Sequence, residues 1–463
     1  MSIVIRTAAI GAALLAACAH AVLLGPDGRG QALVFPYYTT QAASDGAFNT
    51  LLSITNTTRT VKALKVVLRE GKAGKWAAEW NVYLAAGDMW TAGLVPDAAG
   101  MRLVTADISC TDLPPGGSIP ISANMLTFTP DDGLGINVER IREGYIEVFE
   151  MAVLTGPAQT YASAEPRNCD LLRALTPMPV APPTGGIAGS ATLINVSAAR
   201  AFSYDAVALD ELASTPYFAS AIAEAVTFNA SAIEPVSVIT FGGNTYRSRW
   251  SKPVDAVTAV FMARNIEGEY VLDAGTQSKT DWVFTFPTRR HYVSRTTSAT
   301  PFRQPLTTNP GVATCEWLYP FQHGRDATHV EPQAEFQPPP PPSSYGCWSV
   351  TVVSFRQGAA SPVAVSDVFA SRNTGGVISG GSNEHGWAYV ELPGGTIFSS
   401  DTTQFNHATG TVTTPGLTLQ GLPVTGFAAT TFANGFLDCG GTTCKASYGT
   451  TFRLRPRVNE SLR

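Results

Sequence analysis

The sequence predicts an all-β fold: two or more Ig-like or jelly-roll-type β-sandwich modules with one short helical insertion and long loops. Short runs of β-branched and aromatic residues alternate along the chain with Gly, Pro, Asn and Asp turns, the pattern typical of sandwich strands. The chain also combines 44% hydrophobic with 14% charged residues, and it contains 42 glycines and 32 prolines. Such a composition can bury a core and is too apolar for a disordered chain.

The first residues have the features of an export signal. Arg6 supplies a positive charge, residues 8–17 are apolar, and Ala-His-Ala at 19–21 is a small-x-small cleavage pattern. The apolar run is shorter than the ~20 residues that a membrane-spanning helix needs. We therefore predict a signal peptide at 1–21, with cleavage after Ala21 and release to the periplasm, the outer-membrane surface or the medium. Leu-Ala-Ala-Cys at 15–18 also matches a lipobox, so a lipid anchor at Cys18 is the alternative.

The cysteines beyond the leader favour the same destination. They form an even set, which in an exported chain indicates disulfide bonds. Proximity along the sequence favours three pairs, although other connectivities stay open. A zinc site at the last pair is the weaker interpretation, because no second cysteine or histidine pair stands at zinc-like spacing. The predicted pairs are Cys110 with Cys169, Cys315 with Cys347, and Cys439 with Cys444.

An N-terminal β-sandwich is predicted at 22–180. Residues 144–150 alternate apolar and acidic side chains, so the glutamates of this strand are expected to face away from its apolar residues. A Cys110–Cys169 bridge would tie the flanks of this strand together. The other strands predicted in this region are 31–38, 48–56, 63–69, 80–84 and 89–94.

A β-rich middle region is predicted at 181–300, either completing the first domain or forming a unit of its own. Residues 205–226, interrupted by Pro216, are predicted to be helical and supply the helical insertion. The strands predicted in this region are 191–196, 236–241, 256–263 and 281–286.

The clearest predicted boundary is an irregular segment and proline-rich linker at 301–345. Five consecutive prolines at 338–342 favour a stiff polyproline II conformation. A C-terminal β-sandwich is predicted beyond it, at 346–463. The strands predicted there are 347–355, 386–392, 426–433 and 446–454.

Five segments spread over nearly the whole mature chain carry a likeness to known sequences. They are GQALVFPYYT at 30–39, REGYIE at 142–147, YDAVAL at 204–209, TDWVFTFPT at 280–288 and GLPVTGF at 421–427. These segments resemble an unannotated family of secreted or cell-surface proteins from proteobacteria. The resemblance implies export and a role at the cell surface. It brings no catalytic, cofactor-binding or metal-binding residues, because the family has no established activity.

Charge and motif content exclude several classes of function. A formal net charge of −5 without basic blocks argues against nucleic-acid binding, which depends on Lys and Arg neutralising phosphates. No segment of the mature sequence is long and apolar enough to predict a transmembrane helix. The G-x-S-x-G elbow of serine hydrolases is absent from the sequence. We predict no catalytic residue and no cofactor.

The histidines offer one local cluster, His323, Asp326 and His329, as a candidate metal site. Its spacing fits neither one face of a helix nor one face of a strand, so a polar loop is the expected structure. Glu384 and His385 stand close to Ser382, where a hairpin turn is expected, because catalytic triads are rarely assembled from sequence neighbours.

The carboxylates offer no clearer site. Glu143, Glu147 and Glu150 are expected to be solvated charges, because no two of them have the separation and direction of a glycosidase pair. Asp131 and Asp132 resemble part of a calcium loop but lack the remaining oxygen ligands. A loosely bound calcium ion is left open, and no metal site is predicted.

Exposed aromatic residues would give the protein a platform for a sugar. Tryptophans that alternate along strands are more often core residues, and Trp76, beside Lys75 in a turn-like context, is expected to be the most exposed. The candidates are Trp76, Trp80, Trp90, Trp250, Trp282 and Trp387.

Our leading hypothesis from the sequence is a non-enzymatic secreted or cell-surface protein of a Gram-negative bacterium, with a structural or adhesive role. Its partners would be further copies of itself, joined at exposed strand edges, or components of the cell surface or matrix. A secreted carbohydrate-binding or carbohydrate-active module is the alternative. A metal-dependent hydrolase using His323 and His329 is a third hypothesis.

Overall fold

The structure confirms the all-β class. It is a computed structural model that describes residues 20–114, 117–128, 130–220, 226–309, 312–326, 329–330, 344–358, 363–379, 383–438 and 440–459. Strands make up 50% of the structure and helices 9%, and the strands form several antiparallel sheets. No helix among the described residues has the length and apolar character needed to cross a membrane.

The strands of five or more residues are labelled here in chain order. They are β1 Ala32–Thr39, β2 Asn49–Asn56, β3 Lys62–Glu70, β4 Trp76–Leu84, β5 Met89–Asp97, β6 Gly100–Val104, β7 Ser118–Ser122, β8 Glu143–Leu154, β9 Ile187–Asn195, β10 Arg200–Asp205, β11 Val236–Phe241, β12 Asn244–Arg249, β13 Asn265–Val271, β14 Lys279–Thr285, β15 Glu316–Gly324, β16 Val350–Arg356, β17 Thr374–Ser379, β18 His385–Glu391, β19 Asp401–Asn406, β20 Thr425–Asp438 and β21 Thr443–Arg453.

Shorter strands and the helices complete the described elements. The shorter strands are Leu23–Leu24, Ala42–Ala43, Gly46–Ala47, Cys110–Thr111, Val180–Ala181, Val207–Asp210, Met262–Ala263, Thr307–Asn309, Val312–Ala313, His329–Val330, Ser344–Gly346, Thr396–Phe398, Val412–Thr413, Thr418–Gln420, Leu422–Pro423 and Arg455–Arg457. The α-helices are α1 Val138–Ile141, α2 Gly156–Ser163, α3 Cys169–Ala174 and α4 Pro253–Phe261, and the 3₁₀ helices are Ala123–Phe128 and Arg289–His291.

The N-terminal half contains two stacked sheets. The first runs Leu23–Leu24, Val207–Asp210, β1, β8, β3, β4, Cys110–Thr111, and the second runs β7, β6, β5, β2, β9, β10. A first hydrophobic core lies between them, and β14, β16 and β20 from the C-terminal half contribute residues to it. This stacking of antiparallel sheets is the sandwich arrangement that the sequence predicts.

The first sheet is buried on both faces. Alternate residues of β1 and β8 enter the first core and a second core, in which helix α4 and β11 cover the opposite face. All eight residues of β1 and all twelve of β8 are buried as a result. A strand covered on both sides has no solvent-facing side chains, so any charge on it must find partners inside the protein.

The C-terminal half is built around one large sheet. Its order is β21, β20, β14, β16, β17, Ser344–Gly346, β15, β18, β13, Arg455–Arg457. A third core lies under it. The β13 and β14 strands come from the predicted 181–300 region, yet they pair with strands of 346–463. A four-stranded sheet likewise joins β11 and β12 to β19 and Val412–Thr413.

The predicted secondary structure is wrong in two apolar stretches and in the segment at 301–345, which is predicted to be irregular but contains β15. Residues 256–263 are mostly helical, since α4 covers Pro253–Phe261, with proline in its first turn and the Lys252 N–H donating to Asp255 Oδ2 at 3.1 Å. The predicted helix at 205–226 contains instead the strand Val207–Asp210, which pairs with β1. Tertiary pairing decides the conformation of such short apolar runs, whose periodicity is ambiguous.

The glutamates of β8 are buried, so the prediction that they are solvated charges is wrong. Lys62 Nζ lies 2.6 Å from Glu150 Oε1, and Arg69 Nε lies 2.9 Å from Glu147 Oε2. The side chains of both pairs have no exposed surface. The alternation of apolar and acidic residues in β8 therefore marks two buried faces.

Glu143, at the start of β8, holds a distant segment in place. Its Oε1 accepts hydrogen bonds from Gln41 Nε2 at 3.3 Å and from the Arg372 and Asn373 N–H groups at 2.9 and 3.1 Å. Its Oε2 accepts from Tyr37 Oη at 3.0 Å and Ser371 Oγ at 2.6 Å. Burial raises the pKa of Glu143, and the hydrogen bonds from Ser371 and Arg372 oppose that rise.

Two of the predicted disulfides are present. Cys110 bonds Cys169, and Cys315 bonds Cys347. The third predicted pair, Cys439 with Cys444, lies outside the described residues because Cys439 is not among them. The first bridge closes a separation of 59 residues and the second one of 32 residues.

Replacing Glu143 by Ala should lower the free energy of unfolding by about 3 kcal/mol or more, because five donors would lose their buried acceptor. Denaturant titration of the oxidised protein measures the change. Glu269→Gln, at an exposed strand glutamate, is the matched control and should stay within about 0.5 kcal/mol of the wild type. A loss below about 1 kcal/mol in Glu143→Ala would contradict the role of this residue.

His291 should make the protein less stable in mild acid. Burial, with the positive charges of Arg290 and Arg69, lowers the pKa of His291 well below its usual value. Below about pH 6.5 the unfolded chain binds a proton there and the folded chain does not. The free energy of unfolding of the wild type should therefore fall relative to His291→Gln by up to about 1.4 kcal/mol per pH unit as the pH drops.

Denaturant titrations of the wild type and His291→Gln between about pH 7 and 5 measure this difference in the free energy of unfolding. Because both proteins contain the same buried carboxylates, the difference reports the protonation of His291 alone. The exposed His407 provides the matched control, His407→Gln. Parallel pH profiles for the wild type and His291→Gln would contradict the prediction.

Removing either disulfide by a double Cys→Ser substitution should lower the free energy of unfolding by about 4 kcal/mol, from the loop lengths that the bridges close. Denaturation of Cys110→Ser/Cys169→Ser and Cys315→Ser/Cys347→Ser tests each bridge. Alkylation of the native, unreduced protein should leave these four cysteines unlabelled, and labelling of any of them would contradict the pairing.

Candidate functional site

An aromatic face lies on the outer side of the C-terminal sheet, where β15 and β18 pair. In register, Phe321 stands opposite Tyr389 and His323 opposite Trp387. Because side chains alternate along a strand, the odd-numbered residues of both strands share one side of the sheet. We call the following residues the aromatic face: Trp317, Tyr319, Phe321, His323, Trp387 and Tyr389.

The rings of the aromatic face contact one another across the strands. The His323 and Trp387 rings are stacked with centroids 4.3 Å apart, and the Phe321 and Tyr389 rings are stacked at 4.7 Å. Tyr389 is buried at the base of this group, whereas Trp387 is 38% exposed and Trp317 is 52% exposed. Two tryptophans thus present ring surface to solvent on one side of one sheet.

Carboxylates flank the aromatic face on β13. Glu269 stands opposite Trp387 and Glu267 opposite Tyr389. Glu267 is paired with Arg457, whereas the Glu269 side chain is exposed. Directly opposed residues of antiparallel strands have Cβ atoms about 5 Å apart, so the Glu269 carboxylate lies within reach of a molecule resting on Trp387.

Glu269 also lines a groove formed by residues of β13, the end of β21 and the strand Arg455–Arg457. The groove has a volume of about 610 Å³. Its lining residues are Gly268, Glu269, Phe452, Arg453, Arg455, Pro456 and Arg457. Glu269 thus stands opposite Trp387 of the aromatic face and also lines a groove that carries guanidinium groups.

The strands that carry this surface are anchored on the third core. Their inward residues include Leu318 of β15, Ala388 and Val390 of β18, and Ile266 of β13, all buried. The buried Trp282 donates its indole N–H to the Glu269 carbonyl at 3.0 Å. Rings and carboxylates on packed strands are held more precisely than on loops, which favours binding without rearrangement.

A cluster of metal-ligating side chains lies at the end of the aromatic face. Asp273, Glu384 and His385 bring their ligand atoms within 4.8 Å of one another. His385 is two residues from Trp387 on β18 and therefore faces the same side. The Thr276 N–H donates to Asp273 Oδ1 at 2.7 Å, and this hydrogen bond lowers the pKa of Asp273 below its usual value.

The candidate metal cluster of His323, Asp326 and His329 is described only in part, so it stays a hypothesis. His323 stacks on Trp387, and Asp326 forms an exposed ion pair with Arg325 at 3.6 Å. The backbone of His329 pairs with that of His323, and the His329 side chain lies outside the described part of the chain. Ser382 is also outside it, while its neighbours Glu384 and His385 belong to the cluster with Asp273.

Asp131 and Asp132, which resemble part of a calcium loop in the sequence, form ion pairs with basic side chains. Asp132 binds Arg140 Nη2 at 2.6 Å and Lys75 Nζ at 3.5 Å, and Asp131 binds Arg295 Nη1 at 2.6 Å. Burial would raise the pKa of Asp132, but Arg140 lowers it overall. These carboxylates serve as ion-pair partners in the described structure.

The tryptophan prediction is wrong for Trp76, which is only 6% exposed. Trp80, Trp90, Trp250 and Trp282 are core residues, as tryptophans on strands usually are. Trp387 is the exposed candidate, and the more exposed Trp317 is missing from the sequence candidates. Strict alternation of ring-bearing residues at 317, 319, 321 and 323 is the sequence signal that would have identified β15 and its outer face.

Fold and site together define a class: a disulfide-bonded, all-β protein with an aromatic and acidic surface on one sheet. No protein-family model, curated protein or solved structure matches the chain. The resemblance to proteobacterial surface proteins therefore stays a prediction.

Proposed function

We propose that this protein is a non-enzymatic, exported adhesion protein that binds carbohydrate through the aromatic face. One observation carries the proposal: Trp387, stacked on His323 and partly exposed, stands directly opposite the exposed Glu269. This proposal joins the adhesive role predicted from the sequence to its carbohydrate-binding alternative.

The chemistry of a sugar fits this combination of groups. A pyranose ring presents C–H groups on its faces and hydroxyl groups around its rim. The electron-rich face of an indole ring attracts the C–H face, and a carboxylate accepts hydrogen bonds from hydroxyls. Trp387 and Glu269 supply one of each, and Trp317 extends the aromatic surface along β15.

Self-association through the edges of the first sheet is less supported than carbohydrate binding. The first sheet ends in Leu23–Leu24 on one side and Cys110–Thr111 on the other, and these two-residue strands offer little backbone for a further strand. The two disulfides are consistent with an extracellular or periplasmic location. A polysaccharide of the cell surface or matrix is the partner that such a location supplies.

Trp387→Ala should weaken carbohydrate binding at least tenfold, because removing an aromatic anchor from a binding surface costs on the order of 2 kcal/mol. The full oxidised chain is first screened on an array of bacterial and matrix glycans. The best ligand is then titrated by calorimetry against the wild type, Trp387→Ala, Trp317→Ala and Glu269→Gln.

Phe398→Ala is the matched control, because Phe398 is 70% exposed but lies outside the aromatic face. It should bind as the wild type does. Absence of binding to any glycan, or equal losses in Phe398→Ala and Trp387→Ala, would contradict the proposal. Concentration-dependent oligomers in sedimentation experiments, without glycan binding, would favour self-association instead.

A further inference from the structure

We infer that Asp273, Glu384 and His385 bind a zinc ion whose remaining coordination position serves the ligand of the aromatic face. The metal site stands on its own geometry, while its use by a ligand rests on the proposed function. The three residues lie at one end of two paired strands of the C-terminal sheet: Asp273 follows β13, Glu384 precedes β18, and His385 is the first residue of β18.

The geometry of the cluster allows one metal ion to bind all three residues, because their ligand atoms lie within 4.8 Å of one another. His385 Nε2 lies 3.5 Å from Asp273 Oδ2. Two ligand atoms bound about 2.1 Å from a tetrahedral centre are about 3.4 Å apart, whereas adjacent ligands of an octahedral centre are closer, at about 3.0 Å. One metal ion could bind both atoms of this pair, and the half-exposed and exposed positions of His385 and Glu384 leave room for the Glu384 carboxylate to approach them.

The ligand set favours zinc over calcium. One imidazole nitrogen and two carboxylate oxygens suit zinc, whereas calcium prefers oxygen ligands alone. Three protein ligands leave a fourth position open, as in zinc sites that bind water or a ligand.

The two strand ends that supply the ligands are joined by backbone contacts. The Leu272 N–H donates to the Glu384 carbonyl at 2.6 Å, directly beside Asp273 and His385. The Arg325 N–H donates to the His385 carbonyl at 3.2 Å, which ties the end of β15 to the same position. The ligand-bearing backbone is thus positioned by the sheet, and the His385 side chain lies on the side of the sheet that carries Trp387.

Zinc binding to the full, untagged and oxidised chain tests the inference. After treatment with EDTA, the wild type should take up one zinc ion in equilibrium dialysis, and cobalt should give the intense visible bands of tetrahedral coordination. His385→Gln and Asp273→Asn should each weaken zinc binding by more than about tenfold, since even residues that only support a ligand contribute that much. His407→Gln, at a histidine far from the cluster in sequence, should bind zinc as the wild type does.

Zinc binding that is absent in the wild type, or unchanged in His385→Gln, would overturn the metal site. Calorimetry with the best glycan tests the role of the metal in ligand binding separately from the proposed function. Glycan binding should weaken when zinc is removed and recover when it is restored. Equal glycan affinity with and without zinc would overturn the role of the metal in ligand binding, whereas zinc binding without any glycan binding would remove only the proposed function.

Discussion

The burial of charge on strand β8 is the constraint on which the rest of the structure depends. Glu147 and Glu150 are ion-paired with Arg69 and Lys62 of the adjacent strand β3, with no exposed surface on any of the four side chains. Isolated charges in such a place would cost far more than the stability of a domain, so the pairs must form together with the sheet. Because replacing buried pairs by apolar residues is often neutral or stabilising, their effect is better understood as fixing register: a slip of β8 against β3 by one residue would leave every charge unpaired.

The need of buried carboxylates for hydrogen-bond partners also couples the two halves of the chain. Glu143 is satisfied only when residues 371–373 are in place, and the nearby Phe369 packs its ring against Phe48, Phe202 and Tyr37 of the N-terminal half. Asp281 of β14 holds the same segment from its other side, accepting from the Val368 and Phe369 N–H groups at 2.9 and 3.1 Å. The segment therefore lies between two buried carboxylates. Its position fixes β16 and β17 beside it, and through them the large sheet that carries the aromatic face.

Local sequence patterns predict most of the strands, two disulfides and the all-β class, because alternation, turn residues and cysteine pairing are local signals. These patterns fail where the burial or the conformation of a segment depends on the distant parts of the chain that pack against it. The acidic residues of β8 follow a solvent-facing pattern, yet partners more than 70 residues away bury them. The apolar run at 256–263 is compatible with a strand or a helix, and its position against the first sheet selects the helix. The cluster of Asp273 with Glu384 and His385 joins positions more than a hundred residues apart, which only the pairing of β13 with β18 brings together.

The aromatic face differs from the aromatic clusters of the cores in one respect that bears on function. In the cores, Trp80, Trp90 and Trp282 are almost completely buried, so their rings contribute to stability through area removed from water. Trp317 and Trp387 leave 52% and 38% of their surface exposed although they stand on a sheet whose other side is a complete core. A fold that needed only stability gains nothing from keeping indole rings at the solvent boundary, beside a carboxylate and a histidine–carboxylate cluster. Contiguous exposed rings rimmed by polar groups are instead what a binding surface requires.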